Sequence, residues 1–150
     1  MTKLSLRRDE RGNSVIELAL VLPILSSMLV GMVDLSRGFA MKLSTQQAAQ
    51  RSIEKVMQTT ASSTVIDSLK AEAADAAGVA TSAVAVDFWL ECNGVRQTSY
   101  DSSCPAGQTY ARYLSVDVTK IYTPMFAFKF AGASSDGTYT LHGIAGIRTQ

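Results

Sequence analysis

The most prominent feature of the sequence is one long apolar run near the amino terminus. Residues 15–33 contain a single charged side chain, Glu17. A helix needs about 20 apolar residues to cross a bilayer. Pro23 interrupts the run, but proline is tolerated in membrane helices because neighbouring groups satisfy the freed backbone carbonyl. The pattern therefore predicts a helix over residues 13–33 that spans a membrane.

Apolar positions continue beyond this run at spacings near three and four. The recurring positions are Leu35, Phe39, Leu43, Ala49, Ile53, Val56 and Met57. Such spacing is typical of an amphipathic helix. We predict that residues 34–58 extend the first helix into one rod from Asn13 to Gln58, about 70 Å long. The apolar stripe of this extension packs either on the carboxy-terminal domain or on helices of partner chains.

Residues 59–150 predict a head domain that contains both helix and strand. A turn at residues 59–65 precedes an alanine-rich helix at residues 65–78, which Gly78 ends. The apolar period then changes to two, as in half-buried strands. The predicted strands are residues 83–92, 109–122 and 138–149. The predicted fold class is α+β: a long amino-terminal helix, and a second helix packed on a small antiparallel sheet of three to four strands.

One segment of the head, residues 122–137, allows more than one interpretation. Its large apolar residues are Met125, Phe126, Phe128 and Phe130. The segment fits a short helix, an edge strand or an exposed apolar patch. These side chains therefore belong to the domain core or to a loop that docks a partner.

Charge on the two sides of the apolar run predicts its orientation. Ahead of the run, Lys and Arg outnumber Asp and Glu; the basic residues there are Lys3, Arg7, Arg8 and Arg11. Such an excess holds the amino terminus in the cytoplasm, so that residues 59–150 are translocated. Three interpretations are open: a cleaved secretory signal, a permanent anchor, or a span from which only the leader 1–12 is removed. The sequence after Val33 lacks the A-x-A-like site of a secretory signal.

Removal of the leader explains the acid inside the apolar run. A cut between Gly12 and Asn13 creates an α-amino cation at Asn13, one helical turn from Glu17. A carboxylate in lipid costs roughly 2.5–3.5 kcal/mol on insertion scales, and pairing with an ammonium group of the same or a neighbouring subunit offsets that cost. In the other interpretation, Glu17 is solvated at the membrane surface and Gly12 is an ordinary glycine before a helix. Pro23 leaves the Ala19 carbonyl without its helical partner, which predicts a kink or local melting.

The amino-terminal third also resembles a known family. The stretch "RGNSVIELALVLPILSSMLVGMVDLSRGF", followed by "STQQAAQRSIE", resembles the TadE-like family, which are minor pilins (pseudopilins) of the bacterial tight-adherence, or Flp-type, pilus system. The matching features are the basic leader ending in Gly12, Glu17 five residues later, the "ELALVLP" core ending at Pro23, and the Asp34 and Arg37 that close the span. Leu18 stands where the family usually has an aromatic residue.

The resemblance implies partners, a location and a role. A prepilin peptidase would cut after Gly12, and other pilin subunits would pack on the amino-terminal helix. The protein would lie in the bacterial inner membrane with its head in the periplasm, or outside the cell once assembled. It would initiate, prime or cap a tight-adherence type IV pilus or a related secretion filament. The alternative from the residues alone is a permanently anchored periplasmic scaffold or receptor that is not cleaved after Gly12.

The two cysteines depend on the compartment. Cys92 and Cys104 lie close in sequence, in a stretch rich in Gly, Ser and Asn. In a periplasmic head they should form a disulfide, whereas in a reducing compartment they would be free thiols. Two cysteines and one remote histidine do not make a four-ligand zinc site. We therefore expect a disulfide and no metal.

The sequence contains no motif that predicts catalysis or a cofactor. The net charge is +1, and no Lys/Arg stripe with interleaved aromatic residues suggests nucleic-acid binding. Phosphate-binding loops, paired carboxylates and G-x-S-x-G elbows are also missing from the sequence. His142, in an alternating strand, is interpreted as a hydrogen-bonded structural residue. We expect no enzyme activity, no cofactor and no small-molecule substrate.

Overall fold

The computed structural model describes residues 11–57, 65–126 and 132–149. The chain divides into two compact units, Met1–Arg37 and Gly38–Gln150. The helices are α1 (Arg11–Met57) and α2 (Ile66–Ala77), and a short 3-10 turn follows at Thr81–Ala83. The strands are β1 (Val84–Cys92), β2 (Val95–Arg96), β3 (Tyr110–Tyr122) and β4 (Tyr139–Arg148). The α+β prediction is confirmed, since a long apolar helix, a second helix and a four-stranded antiparallel sheet are all present.

In the first unit, α1 presents apolar side chains on every side. Val15, Leu20 and Met32 are each about two-thirds exposed, and none of the most apolar window of the helix is buried. A helix that is apolar all round requires lipid or other protein around it. The mean hydropathy of the window is 2.2, and by length and composition this helix is a candidate membrane span.

Two serine hydroxyl groups of this apolar helix, those of Ser27 and Ser36, are satisfied within the helix itself. Ser27 Oγ donates to the Ile24 carbonyl at 2.8 Å, and Ser36 Oγ donates to the Met32 carbonyl at 2.8 Å. A bond of this kind to a carbonyl three or four residues earlier lets a serine lie in an apolar helix without an exposed donor. Ser27 and Ser36 are therefore compatible with a lipid environment.

In the second unit, the last part of α1 packs with α2 on one face of the sheet. The buried residues of α1 recur at helical spacing: Thr45, Ala48, Ala49, Ser52, Ile53 and Val56. α2 contributes small side chains and one leucine: Leu69, Ala73, Ala74 and Ala77. The sheet contributes Val84, Leu114, Val116 and Val118 to the same core cluster. Alanine at so many contacts lets the two helices lie close to each other and to the strands.

The predicted stripe of α1 is only partly buried. Ala49, Ile53 and Val56 are in the core, as expected for a stripe packed on its own domain. Phe39 and Leu43, however, are 62% and 61% exposed. The domain therefore covers the stripe from the middle of the extension onward and leaves these two side chains open.

α2 ends where the sequence predicted. Gly78 adopts a left-handed conformation with φ of 62°, and its N–H donates to the Asp75 carbonyl. The Val79 N–H donates to the Ala74 carbonyl, which completes a glycine-based helix end. Lys120 of β3 donates to the Ala77 carbonyl, which places a cation at the negative end of the helix dipole.

The sheet order is β2-β1-β3-β4. The three predicted strands correspond to β1, β3 and β4, and β2 is a two-residue strand that the sequence did not indicate. Val84, Val118 and Gly143 lie in one row across the sheet, on the face that carries the core. The predicted turn at 59–65 lies almost entirely outside the described residues. So do Phe128 and Phe130 of the ambiguous segment.

A tight turn and a disulfide organise the segment between β1 and β3. Asn93 and Gly94 both have positive φ, 50° and 79°, and this allows the two-residue hairpin between β1 and β2. Cys92 and Cys104 form a disulfide with a Cα–Cα distance of 5.6 Å, as predicted for a periplasmic head. Between the cysteines, the Tyr100 ring packs edge-on against Phe88 with centroids 5.4 Å apart.

We expect the double substitution Cys92→Ser/Cys104→Ser to destabilise the head by about 2–4 kcal/mol, because the crosslink restricts the unfolded chain. Thermal unfolding of the full chain in detergent, followed by circular dichroism, measures this change. Reduced wild-type protein is the control and should unfold with the double variant. Equal unfolding temperatures for the oxidised wild type and the double variant would contradict the prediction.

Candidate functional site

The predicted cleavage site lies at the beginning of α1. Gly12 and Asn13 lie within α1, which the structure describes from Arg11, and residues 1–10 lie outside the described part of the chain. Glycine is about 1 kcal/mol worse than alanine as a helix former. Gly12 therefore lowers the stability of the helix next to the bond between Gly12 and Asn13.

Glu17 lies inside α1, which the structure describes from Arg11 onward. The interpretation above placed it in the first turn of a helix that begins at Asn13. Residues 1–10 lie outside the described part of the chain, so the position of Glu17 in the first turn of a helix beginning at Asn13 stays a prediction. Glu17 is exposed on this helix, and removal of residues 1–12 would return it to within one turn of the new terminus.

Pro23 does not interrupt the helix. α1 is helical from Arg11 to Met57 with Pro23 inside it, so local melting is not observed. Apolar side chains surround the position; Leu22 and Ile24 are 53% and 61% exposed. The predicted kink at Pro23 stays a prediction.

In the head, His142 has the hydrogen-bonding partners that the sequence led us to expect. Nδ1 of His142 lies 3.2 Å from Oδ1 of Asp117 and 3.4 Å from Oγ1 of Thr119. The three side chains share the sheet face opposite the helices, and both members of the His142–Asp117 pair are substantially exposed. This geometry fits a hydrogen-bonded surface histidine on the open face of a sheet.

The close contact between α1 and the edge strand β4 was not predicted from the sequence. Lys42 donates to the His142 carbonyl, and Gln46 Nε2 donates to the Ile144 carbonyl at 2.6 Å. Between these carbonyls lies Gly143, where an added Cβ would be 2.2 Å from the Thr45 carbonyl oxygen. A glycine inside a strand often marks the close approach of another backbone, and this was the one available signal.

The aromatic residues of the open sheet face are already paired with each other. Trp89 stacks on Tyr113 with ring centroids 5.1 Å apart, and the guanidinium of Arg96 lies 4.9 Å from the Trp89 centroid on β1. Arg96 also contacts both carboxylate oxygens of Asp87 at 2.9 Å. Cross-strand pairs of this kind stabilise a sheet. The Arg96 guanidinium and the Tyr113 ring both contact the Trp89 ring. Trp89 therefore serves packing within the sheet more than stacking on a ligand.

Over the described ranges 11–57, 65–126 and 132–149, no group of three His, Cys, Asp or Glu side chains is arranged to hold a metal. The notable features are instead a candidate span, the acid Glu17 within it and a small head that contains a disulfide. These features fit a protein that one apolar helix anchors in a membrane and that carries an α+β head.

Comparison with known proteins identifies the family of the amino-terminal segment. Residues 12–53 match the family model described as TadE-like protein. All of these residues lie in α1, and they include Gly12, Glu17 and Pro23. The resemblance seen in the sequence is confirmed, and TadE-like proteins are a structural, pilus-associated family. None of the curated proteins and none of the solved structures matches this chain.

Proposed function

We propose that this protein is a minor pilin that takes part in assembly of a tight-adherence type IV pilus or a related secretion filament. The observation that carries the proposal is the coincidence of two features in α1. The residues that match the TadE-like family begin at Gly12, two residues before the one candidate span among the described residues, Ser14–Val56. The same segment contains Glu17, the single charge between Val15 and Val33.

The proposed location is the inner membrane, with the head in the periplasm. The exposed apolar surface of the first unit needs lipid or partner helices around it. The basic residues ahead of the run favour a cytoplasmic amino terminus. The disulfide between Cys92 and Cys104 fits an oxidising compartment for the head.

In the proposed reaction of a prepilin peptidase, water hydrolyses the peptide bond between Gly12 and Asn13. The leader 1–12 leaves with its basic residues, and a new α-amino group appears at Asn13. Because Glu17 is then one helical turn from this cation, the two charges can pair within one subunit or between neighbours. Pairing between neighbours would bring a new subunit into the filament at a defined height. Other pilin helices would pack on the apolar surface of α1.

A permanently anchored scaffold or receptor is the second candidate, and one observation favours it. In the described chain the bond after Gly12 is helical, and α1 continues through it without a break. A peptidase would have to unwind this part of the helix before cutting. A chain that keeps residues 1–12 would remain a single-span anchor for its head.

Intact-mass measurement separates the two candidates. We expect the protein extracted from membranes that contain a prepilin peptidase to lack residues 1–12. Gly12→Val should block the cut, because a branched side chain would replace hydrogen next to the scissile bond. Gly31→Val is the matched control: it lies in the same helix, nothing lies within 4 Å of an added Cβ, and its leader should still be removed. Full-length wild-type protein under these conditions would favour the permanent anchor.

A further inference from the structure

The two edges of the sheet differ in how completely their outward-facing backbone groups are covered. At the β4 edge, side chains of α1 bond to outward-facing carbonyls: Lys42 to His142, and Gln46 to Ile144. An uncovered edge offers a row of N–H and C=O groups to any other strand, and proteins commonly cover or block such edges. α1 performs that role at β4.

At the other edge, β1 is only half covered. The short strand β2 pairs with Glu91 and Cys92, and the Gln97 N–H donates to the Leu90 carbonyl at 2.7 Å. Backbone groups of alternate residues point the same way, so Val86 and Phe88 face this edge as Leu90 does. No hydrogen bond from the described residues reaches the backbone N–H or C=O of Val86 or Phe88.

The open stretch also lacks the usual protection against pairing. Residues 84–88 read "VAVDF", with no proline, lysine or glycine, and this composition favours strands. The only charge is Asp87, and Arg96 of the same chain neutralises it through two contacts of 2.9 Å. The Val84 N–H is already used, because it donates to the Thr81 carbonyl. The open edge therefore extends from the Val84 carbonyl to the Phe88 N–H.

We propose that this edge pairs with the same edge of a second copy of the chain, as antiparallel strands about a two-fold axis at Val86. In this register the two Val86 residues exchange N–H···O bonds, and each Phe88 N–H donates to the Val84 carbonyl of the second copy. On the helix face, Val84 lies opposite Phe88, a β-branched and aromatic pair of the kind that stabilises sheets. On the open face, Ala85 lies opposite Asp87. An axis at Asp87 would instead bring two carboxylates directly opposite each other, which is unfavourable.

The edge fits a second copy because, in the inverted stretch, the two Val86 residues exchange both of their bonds and each Phe88 N–H meets a Val84 carbonyl. The pairing is short, and stable interfaces bury about 1,200–2,000 Å² in total. Pairing of this length therefore needs the two chains to be held together. The candidate span supplies this, since confinement to one bilayer raises the effective concentration of the heads. The inference rests on membrane anchoring but not on cleavage after Gly12.

Disulfide trapping with full-length, uncleaved chains in lipid vesicles tests the register. Chains carrying Ala85→Cys are mixed with chains carrying Asp87→Cys, and the mixture is oxidised. We expect a crosslinked dimer from the mixture, at least ten times more than from either variant alone. Strong crosslinking of Asp87→Cys alone, or no crosslinking in the mixture, would overturn the proposed pairing.

A proline variant tests whether the outward backbone groups carry the contact. Val86→Pro removes an N–H that faces the open edge and leaves the β1–β3 bonds in place. In this background the crosslinked dimer should fall at least tenfold, whereas the near-ultraviolet signal of Trp89 should remain. An unchanged crosslink yield would contradict the proposal.

Hydrogen exchange of the wild-type chain tests the pairing without any substitution. At high density in vesicles, the amides of Val86 and Phe88 should exchange at least tenfold more slowly than at low density. The amides of Asp87 and Trp89 face β3 and serve as internal controls, since they should be protected at both densities. Fast exchange at Val86 and Phe88 at every density would refute pairing, whatever the outcome of leader cleavage.

Discussion

Among the glycines that the structure describes in the head, replacement of Gly143 with alanine is expected to cause the largest steric clash and a large loss of stability. The new Cβ would lie 2.2 Å from the Thr45 carbonyl oxygen, 2.4 Å from the carbonyl carbon and 2.8 Å from the Gln46 nitrogen. These are backbone atoms in the middle of α1, so no side-chain rotation relieves the clash. The helix and the edge strand must separate, and the bond from Gln46 to the Ile144 carbonyl would be lost with the contact.

Overpacking of a core typically costs about 1–3 kcal/mol, and a clash with backbone belongs at or above the upper end. For a small domain, about 3 kcal/mol lowers the unfolding temperature by more than roughly 10 °C. Thermal unfolding of the full chain in detergent measures this change. Gly146→Ala, in the same strand, is the matched control because its Cβ meets its nearest atom at 3.4 Å. Similar unfolding temperatures for the two variants would show that α1 and β4 are not tightly packed.

Replacement of Glu17 with glutamine is expected to preserve membrane insertion and to reduce assembly into the filament. Glutamine keeps the size of the side chain and removes its charge. Insertion should become easier, since an acid in the span costs roughly 2.5–3.5 kcal/mol. Loss of a charged hydrogen bond worth about 1.5–3 kcal/mol would lower incorporation roughly 10- to 150-fold. The measurement is the ratio of pilus-associated to membrane-associated protein in cells that carry the whole assembly system.

Two controls make the Glu17 result specific. Glu54→Gln changes an exposed acid on the same helix but beyond the apolar run of residues 15–33, and it should leave incorporation unchanged. The cleavage state is read by intact mass in the same cells, so that poor leader removal is not mistaken for poor assembly. Normal incorporation of the cleaved Glu17→Gln protein would refute the proposed charge pairing, and the family assignment would stand.

The two proposed contacts act on different parts of the chain. Glu17 and the apolar surface of α1 concern the span, whereas the open edge of β1 concerns the head. A filament subunit held only by its span would remain free to rotate as a whole about the axis of that span. Pairing between heads at residues 84–88 would restrict that rotation, and the two contacts can be tested separately because they share no residue.

Much of the architecture was readable from local patterns. The apolar run, the alanine-rich helix ended by Gly78 and the alternation in β1, β3 and β4 all predicted elements that are present. These features depend on neighbours within one or two turns or on one strand, so their signal lies in the sequence itself. The span and its flanking charges predicted a periplasmic head, and for such a head we predicted the disulfide that is present.

The sequence was less informative wherever two elements meet. It predicted one continuous stripe along the extension of α1, yet Phe39 and Leu43 are exposed while Ala49 and Ile53 are buried. All four residues fit the same helical period, and only the position of the sheet decides which of them it covers.

By itself, the sequence determined the kind of elements, their order and the membrane-compatible surface of the first helix, because backbone propensity and apolar period act locally. Only the tertiary structure decided that α1 closes one edge of the sheet at Gly143 and that the β1 edge is open at Val86 and Phe88. Those facts depend on which strands are neighbours and on which way their carbonyls point. Residues about a hundred positions apart, such as Lys42 and His142, are brought together by the fold alone.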